Sequence, residues 1–254
     1  RRNARAKHRR FLVEGPQGVR EAVRHVPGRV LDVYLTEAAL ERHSEIWDEA
    51  VAAGLYVHVT TQQVMDAMSP DAQGLLAVVA TEEVTGSEAL AAALEGARLV
   101  AVLTQAQDPG NAGTIIRAAD AAGADAVVLV RGSVDPTAPK VVRSTAGSLF
   151  HLPVVTGVAL DDAVTALHNA GLTVLAADGR GDFDLFEAES LLEAPSAWLL
   201  GNEAHGLPPE ALSRADAVAS IPIYGKAESL NVAAAAAVCL YASARAQAQN
   251  SGRG

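Results

Sequence analysis

From residue 98 onward, short apolar runs alternate with helical patterns, and no other feature of the chain constrains its fold as strongly. The runs are RLVAVLTQ (98–105), DAVVLVR (125–131), LFHLPVVT (149–156), LTVLAAD (172–178), SAWLLG (196–201) and AVASIPI (217–223). A strand apolar on both sides needs cover on both faces, and strands separated by helices pair in parallel. The expectation is an α/β domain built on a parallel sheet. The closing run SLNVAAAAAVCLYASARAQ (229–247) is apolar around most of its helical circumference. It is expected to be buried on several sides, in part against a second subunit.

Upstream, VLDVYLT (30–36), LYVHVT (55–60) and GLLAVVAT (74–81) read as strands, with helical patterns at 16–25, 38–53 and 61–68. The expected organisation is a basic arm at 1–10, a small α/β domain at 11–80 and a linker at 81–97. The main domain follows at 98–247, with a tail at 248–254. Half of the residues are hydrophobic and a fifth are charged, which excludes a disordered chain. No run approaches the ~18 apolar residues of a membrane span. The opening RRNARAKHRR lacks the apolar core of a secretory signal. Cys239 is alone, which excludes a disulfide framework or a cysteine-based zinc site within the chain. A cytoplasmic location is expected.

The net charge of −10 argues against indiscriminate coating of nucleic acid. Its distribution points elsewhere: nine of the 20 Lys and Arg residues lie in the first 29 positions, opposed there only by Glu14 and Glu21. A basic end on an acidic protein suits a polyanionic partner held locally. Arg9 and Arg10 are the candidate contacts from the arm.

Three stretches carry polar residues at strand ends. In DPGNAGTIIRAADAAGADAVVL (108–129), a glycine-containing turn leads from a strand into a helix, with Asn111 placed to cap it and Arg117 further along beside Asp120. Ala112, Ile115, Ile116, Ala119 and Ala122 have the spacing of a sheet-facing stripe. In LLGNEAHGLPPE (199–210), a strand ends at Gly201 and a turn bearing Glu203 and His205 leads to a proline-started helix. In IPIYGKAESLNVAAAAAVCLYAS (221–243), Pro222 ends a strand, and Ser229 or Asn231 stands ready to cap the last helix. The carboxyl ends of parallel strands are where such sheets bind ligands. The G-x-G-x-x-G spacing of a dinucleotide site is absent, which excludes a nicotinamide or flavin oxidoreductase. None of the stretches offers a metal ligand set, and no metal is expected.

These three stretches, in this order, closely resemble the motifs of the SpoU/TrmH RNA 2′-O-ribose methyltransferases of the SPOUT superfamily. The resemblance covers about 98–247, and IP…G…SLNV is its most specific part. Residues 11–80, with FLVEGPQGVREAV, resemble the RNA substrate-binding domain of many members. The resemblance implies a deep trefoil knot, a homodimer and S-adenosylmethionine held by backbone at Leu200, Gly201, Ile221, Pro222 and Leu230. It assigns Asn111, Arg117, Glu203, Ser229 and Asn231 to catalysis and target-ribose binding. Lys140, Arg143 and Ser144, in PKVVRSTAGSLFHLP (139–153), are assigned to RNA contact in the catalytic domain. Ribosomal RNA, 23S in particular, is favoured over transfer RNA. The rivals are a tRNA 2′-O-methyltransferase, a base or protein methyltransferase, and a non-catalytic ribosome-assembly protein of the same fold. Two roles stay open for Arg117: a base whose proton affinity is depressed by desolvation, or a cation that stabilises the forming alkoxide.

Overall fold

Strand β1 (Arg10–Glu14) follows helix α1 (Arg2–His8) and is followed by α2 (Pro16–His25), β2 (Val30–Thr36), α3 (Glu37–Arg42), α4 (Ser44–Ala52), β3 (Val57–Thr60), α5 (Gln62–Met68) and β4 (Leu75–Ala80) in a computed structural model that describes residues 2–202 and 206–251. Next come α6 (Gly86–Ala93), β5 (Leu99–Leu103), α7 (Pro109–Ala121), β6 (Ala126–Leu129), α8 (Pro139–Thr145), β7 (Val154–Val155) and α9 (Leu160–Asn169). The chain continues through β8 (Thr173–Ala177), β9 (Phe183–Asp184), α10 (Glu189–Leu192), β10 (Ser196–Leu200), α11 (Pro209–Arg214), β11 (Ala217–Ser220) and α12 (Val232–Ser251). These elements form two units, Arg1–Glu83 with Asp135–His151, and Val84–Val134 with Leu152–Gly254.

The first unit carries a mixed sheet of order β1-β4-β2-β3, antiparallel except between β2 and β3. Its core joins Phe11, Val13, Val19, Val33, Leu35, Ile46 and Leu75 to Val142 and Phe150. The expected 38–53 helix is two, because the backbone at His43 leaves helical geometry at φ −135° and ψ 43°. Segment 139–153 was expected on the catalytic domain, yet residues up to His151 group with the first unit, because Val142 and Phe150 fill its core and Phe150 stacks on Phe11. The same pull explains why only Val154–Val155 of the expected 149–156 strand is extended.

Folding also changes the charge reading. Arg5, Arg9, Arg20, Arg24 and Arg29 meet Asp135, Glu83, Glu21, Glu49 and Glu82 at 2.7, 3.2, 3.2, 2.6 and 2.8 Å. Apart from Glu21, the neighbour of Arg20, these carboxylates lie outside the basic stretch, and its free positive surface is smaller than the linear count suggests.

The second unit is the expected parallel sheet, seven strands in the order β7-β6-β5-β10-β8-β11-β9, every pair parallel. Its central strands are wholly buried: β5, β6 and β10 have no exposed residue. Val100, Val102, Val174, Ala197 and Leu199 pack under α6, α9 and α11, while the alternate residues face α7 and α12. The stretch expected as a linker therefore contains α6, whose Leu90 belongs to this core.

Alternation places Ser196 and Trp198 toward α12, where Trp198 Nε1 donates to Ser243 Oγ at 2.9 Å. Gln247 Nε2 donates to the Arg98 and Ala194 carbonyls at 3.1 and 3.0 Å. These bonds fix the register of the last helix on the sheet. Ser243→Ala leaves the buried indole N–H without its acceptor, and denaturant unfolding should show a loss of about 1–3 kcal/mol. An unchanged midpoint would mean that the helix is held by packing alone.

Candidate active site at the carboxyl ends of the parallel strands

Because all seven strands run the same way, β5, β10 and β11 end on one edge of the sheet. From β5 the chain moves outward through β6 to β7, then returns to β8 on the other side of β10. A reversal of winding of this kind leaves a crevice at the strand ends. Each of the three motif stretches begins there.

At the end of β5, Asp108 and not Asn111 caps α7: its side chain accepts from the Asn111 N–H at 2.8 Å. The cap assigned to Asn111 is thereby corrected, and so is the helix start, which falls at Pro109. The physical reason is the Asp-Pro pair, since proline needs no N–H partner at the first helical position and aspartate is a strong cap. That dipeptide was a signal in the sequence.

Released from capping, the Asn111 amide is available to the crevice. Its Oδ1 accepts from Asn231 Nδ2 at 3.2 Å. Asn231 Oδ1 in turn accepts from the Ala233 N–H at 2.9 Å, so Asn231 does cap the last helix. One amide pair thus joins the starts of α7 and α12, 120 residues apart in sequence. Ser229 lies exposed just before this cap.

On α7, Ala112, Ile115, Ile116 and Ala119 are buried as expected, whereas Ala122 is only partly so. Arg117 is exposed, and among the described residues it makes no hydrogen bond or ion pair, with Asp120 or with any other residue.

At the end of β10, the Leu200 carbonyl accepts from both the N–H and the hydroxyl of Thr104, each at 3.0 Å, and Leu200 is buried. Gly201 follows at a point where backbone meets backbone. A Cβ there would lie 2.4 Å from the carbonyl carbon of Gly206 and 2.6 Å from its oxygen. Asn202 and Gly206 exchange two backbone bonds of 2.9 Å, closing the loop. Glu203 and His205, inside that loop, lie outside the described residues. Asn202 Nδ2 donates to the Gln105 carbonyl at 3.0 Å. Gln105 has φ 135°, a region that non-glycine residues occupy only where their surroundings hold them. Thr104, Gln105, Asp108 and Asn202 are the site residues that the sequence reading missed.

After β11, Ile221 and Pro222 are half-buried and Leu230 is 41% exposed. Throughout 221–230 the backbone makes no hydrogen bond to another described residue. Among the described residues, then, none occupies these main-chain groups, as recognition by main chain requires.

The residues assigned to RNA contact lie in the first unit. Arg143 pairs with Glu14 and, at 3.0 Å, with Asp71. Ser144 Oγ donates to the Lys140 carbonyl at 2.7 Å, and Lys140 is exposed. Arg10 donates to the His8 carbonyl at 3.2 Å. Among the described residues, no helix is long and apolar enough to cross a membrane.

Comparison with known proteins places this geometry. Residues 98–241 match the model of the SpoU rRNA Methylase family, and 12–85 match that of the RNA 2′-O ribose methyltransferase substrate-binding domain. The 23S rRNA (guanosine(2553)-2′-O)-methyltransferase RlmP of Bacillus subtilis (strain 168) is 35% identical over 242 residues, covering 93% of this chain and 89% of its own. The 23S rRNA (uridine(2479)-2′-O)-methyltransferase of Streptomyces viridochromogenes is 34% identical over 258 residues, covering 96% and 85%. The crystal structure of the SpoU methyltransferase AviRb from that organism, in complex with AdoMet, superposes with a TM-score of 0.82 at 29% identity, covering 98% of this chain and 95% of that one.

Proposed function

The chain belongs to the SpoU rRNA methylase family, and on that premise we propose that it methylates the 2′-hydroxyl of a ribose in 23S ribosomal RNA, using S-adenosylmethionine. The observation that carries this reading is the Asn111–Asn231 bond, which ties the first and third motif segments together at the strand ends, on the helix that presents Arg117. Relatives that align along most of the chain, across both units, are named as 23S rRNA methyltransferases, which favours ribosomal over transfer RNA.

When bound, S-adenosylmethionine supplies an electrophilic sulfonium methyl, so the protein has to position the reactants and take charge of the hydroxyl proton. The open backbone of 221–230 and the close-packed Gly201 turn fit a ligand recognised through main chain. Gly201, Ile221, Pro222 and Leu230 would hold it, with buried Leu200 as part of the floor. Asn111 and Asn231 orient the ribose, and Ser229 and Glu203 complete the polar set. Arg117 lies exposed on α7. We assign it the cationic role: it grips the phosphate beside the target and stabilises the negative charge developing on the 2′-oxygen, whose proton passes to solvent water as the oxygen takes the methyl from sulfur.

In the first unit, Arg9, Arg10, Lys140, Arg143 and Ser144 contact RNA, with phosphate displacing the carboxylates that now hold Arg9 and Arg143. The setting is the cytoplasm, where ribosomes are built, and the knot of the family belongs to the same reading. The protein acts as a homodimer through the outer side of α12, where Tyr241 (52% exposed) and Phe186 (57%) line an open cavity with Leu185, Leu192 and Val238, beside Glu189, Arg245 and Gln249. Such exposed patches mark association surfaces. Light scattering should give the mass of two chains for the native protein and of one for Phe186→Asp. A native monomer at micromolar concentration would contradict the dimer.

The test of function is transfer of labelled methyl from S-adenosylmethionine to unmodified 23S ribosomal RNA, with transfer RNA in parallel. Label in the ribosomal RNA alone is expected. Binding of both ligands without transfer would point to the assembly-protein reading.

A further inference from the structure

A second constellation lies in the first unit. Glu21 and His25 stand one turn apart on α2, and His151 follows the turn at Ser148–Phe150. Glu21 Oε2 is 3.3 Å from His25 Nε2 and 3.0 Å from His151 Nε2. The two imidazoles face each other with centroids 4.4 Å apart, tilted by 60°. One ligand atom from each residue falls within 4.8 Å of the other two.

Donor atoms around a tetrahedral zinc ion, bound at ~2.0–2.1 Å, sit about 3.3 Å from one another. Two of the three spacings here, 3.3 and 3.0 Å, are close to that value, and the third lies within 4.8 Å. We propose that Glu21, His25 and His151 bind a divalent transition-metal ion of the zinc class, with the remaining position left to water. Two imidazoles and one carboxylate suit zinc, whereas calcium and magnesium prefer all-oxygen sets.

The surroundings resemble a supported site. Arg20 Nε donates to Glu21 Oε1 at 3.2 Å, which leaves Oε2 directed at the histidines. Outer hydrogen bonds of this kind orient ligating groups. Burial acts to raise the Glu21 pKa, but hydrogen bonds from Arg20 and His151 outweigh it and hold the carboxyl below its usual range. Gly147, at φ +100°, lets the Glu21 stem lie close: a Cβ there would be 2.4 Å from Glu21 Cγ. The Glu21 side chain is 15% exposed and that of His25 47%, so the stem is enclosed and the mouth open. A bound ion would fasten α2 to the segment carrying Lys140, Arg143 and Ser144, across 130 residues of sequence.

The experiment is a calorimetric titration of the metal-stripped full chain with Zn²⁺, repeated with Co²⁺ while visible absorption is recorded. One equivalent should bind, with a rise in thermal midpoint and the visible bands of four-coordinate cobalt. Losing an outer-shell partner costs 10–100-fold in metal affinity, so His25→Ala and His151→Ala should each weaken binding by at least about 100-fold. Glu21→Gln, which keeps the shape and removes the anion, should do the same with folding confirmed by circular dichroism. His58→Ala, whose ring pairs with Asp32 at 2.9 Å elsewhere in the unit, should leave binding unchanged. No Zn²⁺ uptake by the native chain, or uptake that survives both His25→Ala and His151→Ala, would overturn the proposal. Either outcome would reduce the cluster to a histidine–carboxylate ion pair.

Discussion

Arg117→Lys should abolish nearly all methyl transfer while leaving folding and cofactor binding intact. Arg117 is exposed and makes no hydrogen bond or ion pair among the described residues, so its replacement removes no contact that holds the fold. What changes is geometry: lysine keeps the charge but offers a point cation where arginine offers a planar fork able to meet phosphate and alkoxide together. Removing one preorganised donor from a developing oxyanion typically costs about 10²–10³ in rate. The measurement is single-turnover transfer at saturating cofactor, with thermal unfolding and cofactor titration as controls. A variant retaining most of the rate would show that charge alone suffices and that the fork is not used.

Gly201→Ala should have the second-largest effect, on cofactor binding. The added methyl would meet the Gly206 backbone at 2.4 and 2.6 Å and the Leu207 nitrogen at 2.6 Å. No flexible side chain is present to yield, so the loop from 201 to 207 has to shift. Overpacking of this kind costs about 1–3 kcal/mol, which corresponds to roughly a 5- to 150-fold loss in affinity if the displaced segment holds the ligand. Titration with S-adenosylmethionine reads the loss directly. An unchanged Kd in a variant whose stability has fallen would remove the second motif from the cofactor site.

How far the sequence could be read depended on whether a signal was local. The stripe of Ala112, Ile115, Ile116 and Ala119 and, apart from 149–156, the apolar runs of the parallel sheet are statements about neighbours along the chain, and each forms the helix face or strand read for it. The Asn111 cap was misplaced although the deciding signal, Asp108 before Pro109, was three residues away. Strand β1 escaped notice because RFLVE is short and ends in charges, and it is defined by its pairing with β4. The 149–156 run was apolar enough for a strand, but Phe150 is more favourably placed against Phe11 in another unit's core. The same long-range pairing neutralises arginines that looked unopposed and brings His151 to Glu21. Within the site, the amide pair of Asn111 and Asn231 was not readable, because each residue had its own local explanation as a helix cap.

The central claim is the acceptor atom, and one chemical property tests it. RNA chains break in alkali through attack by the 2′-hydroxyl, so a methylated 2′-oxygen protects the bond that follows it. Ribosomal RNA labelled by the protein from S-adenosylmethionine should be hydrolysed fully in alkali and the fragments separated. The account predicts that the label appears in a single alkali-resistant dinucleotide and is absent when Arg117→Ala replaces the native chain. Label released in mononucleotides would place the methyl on a base and contradict the assignment.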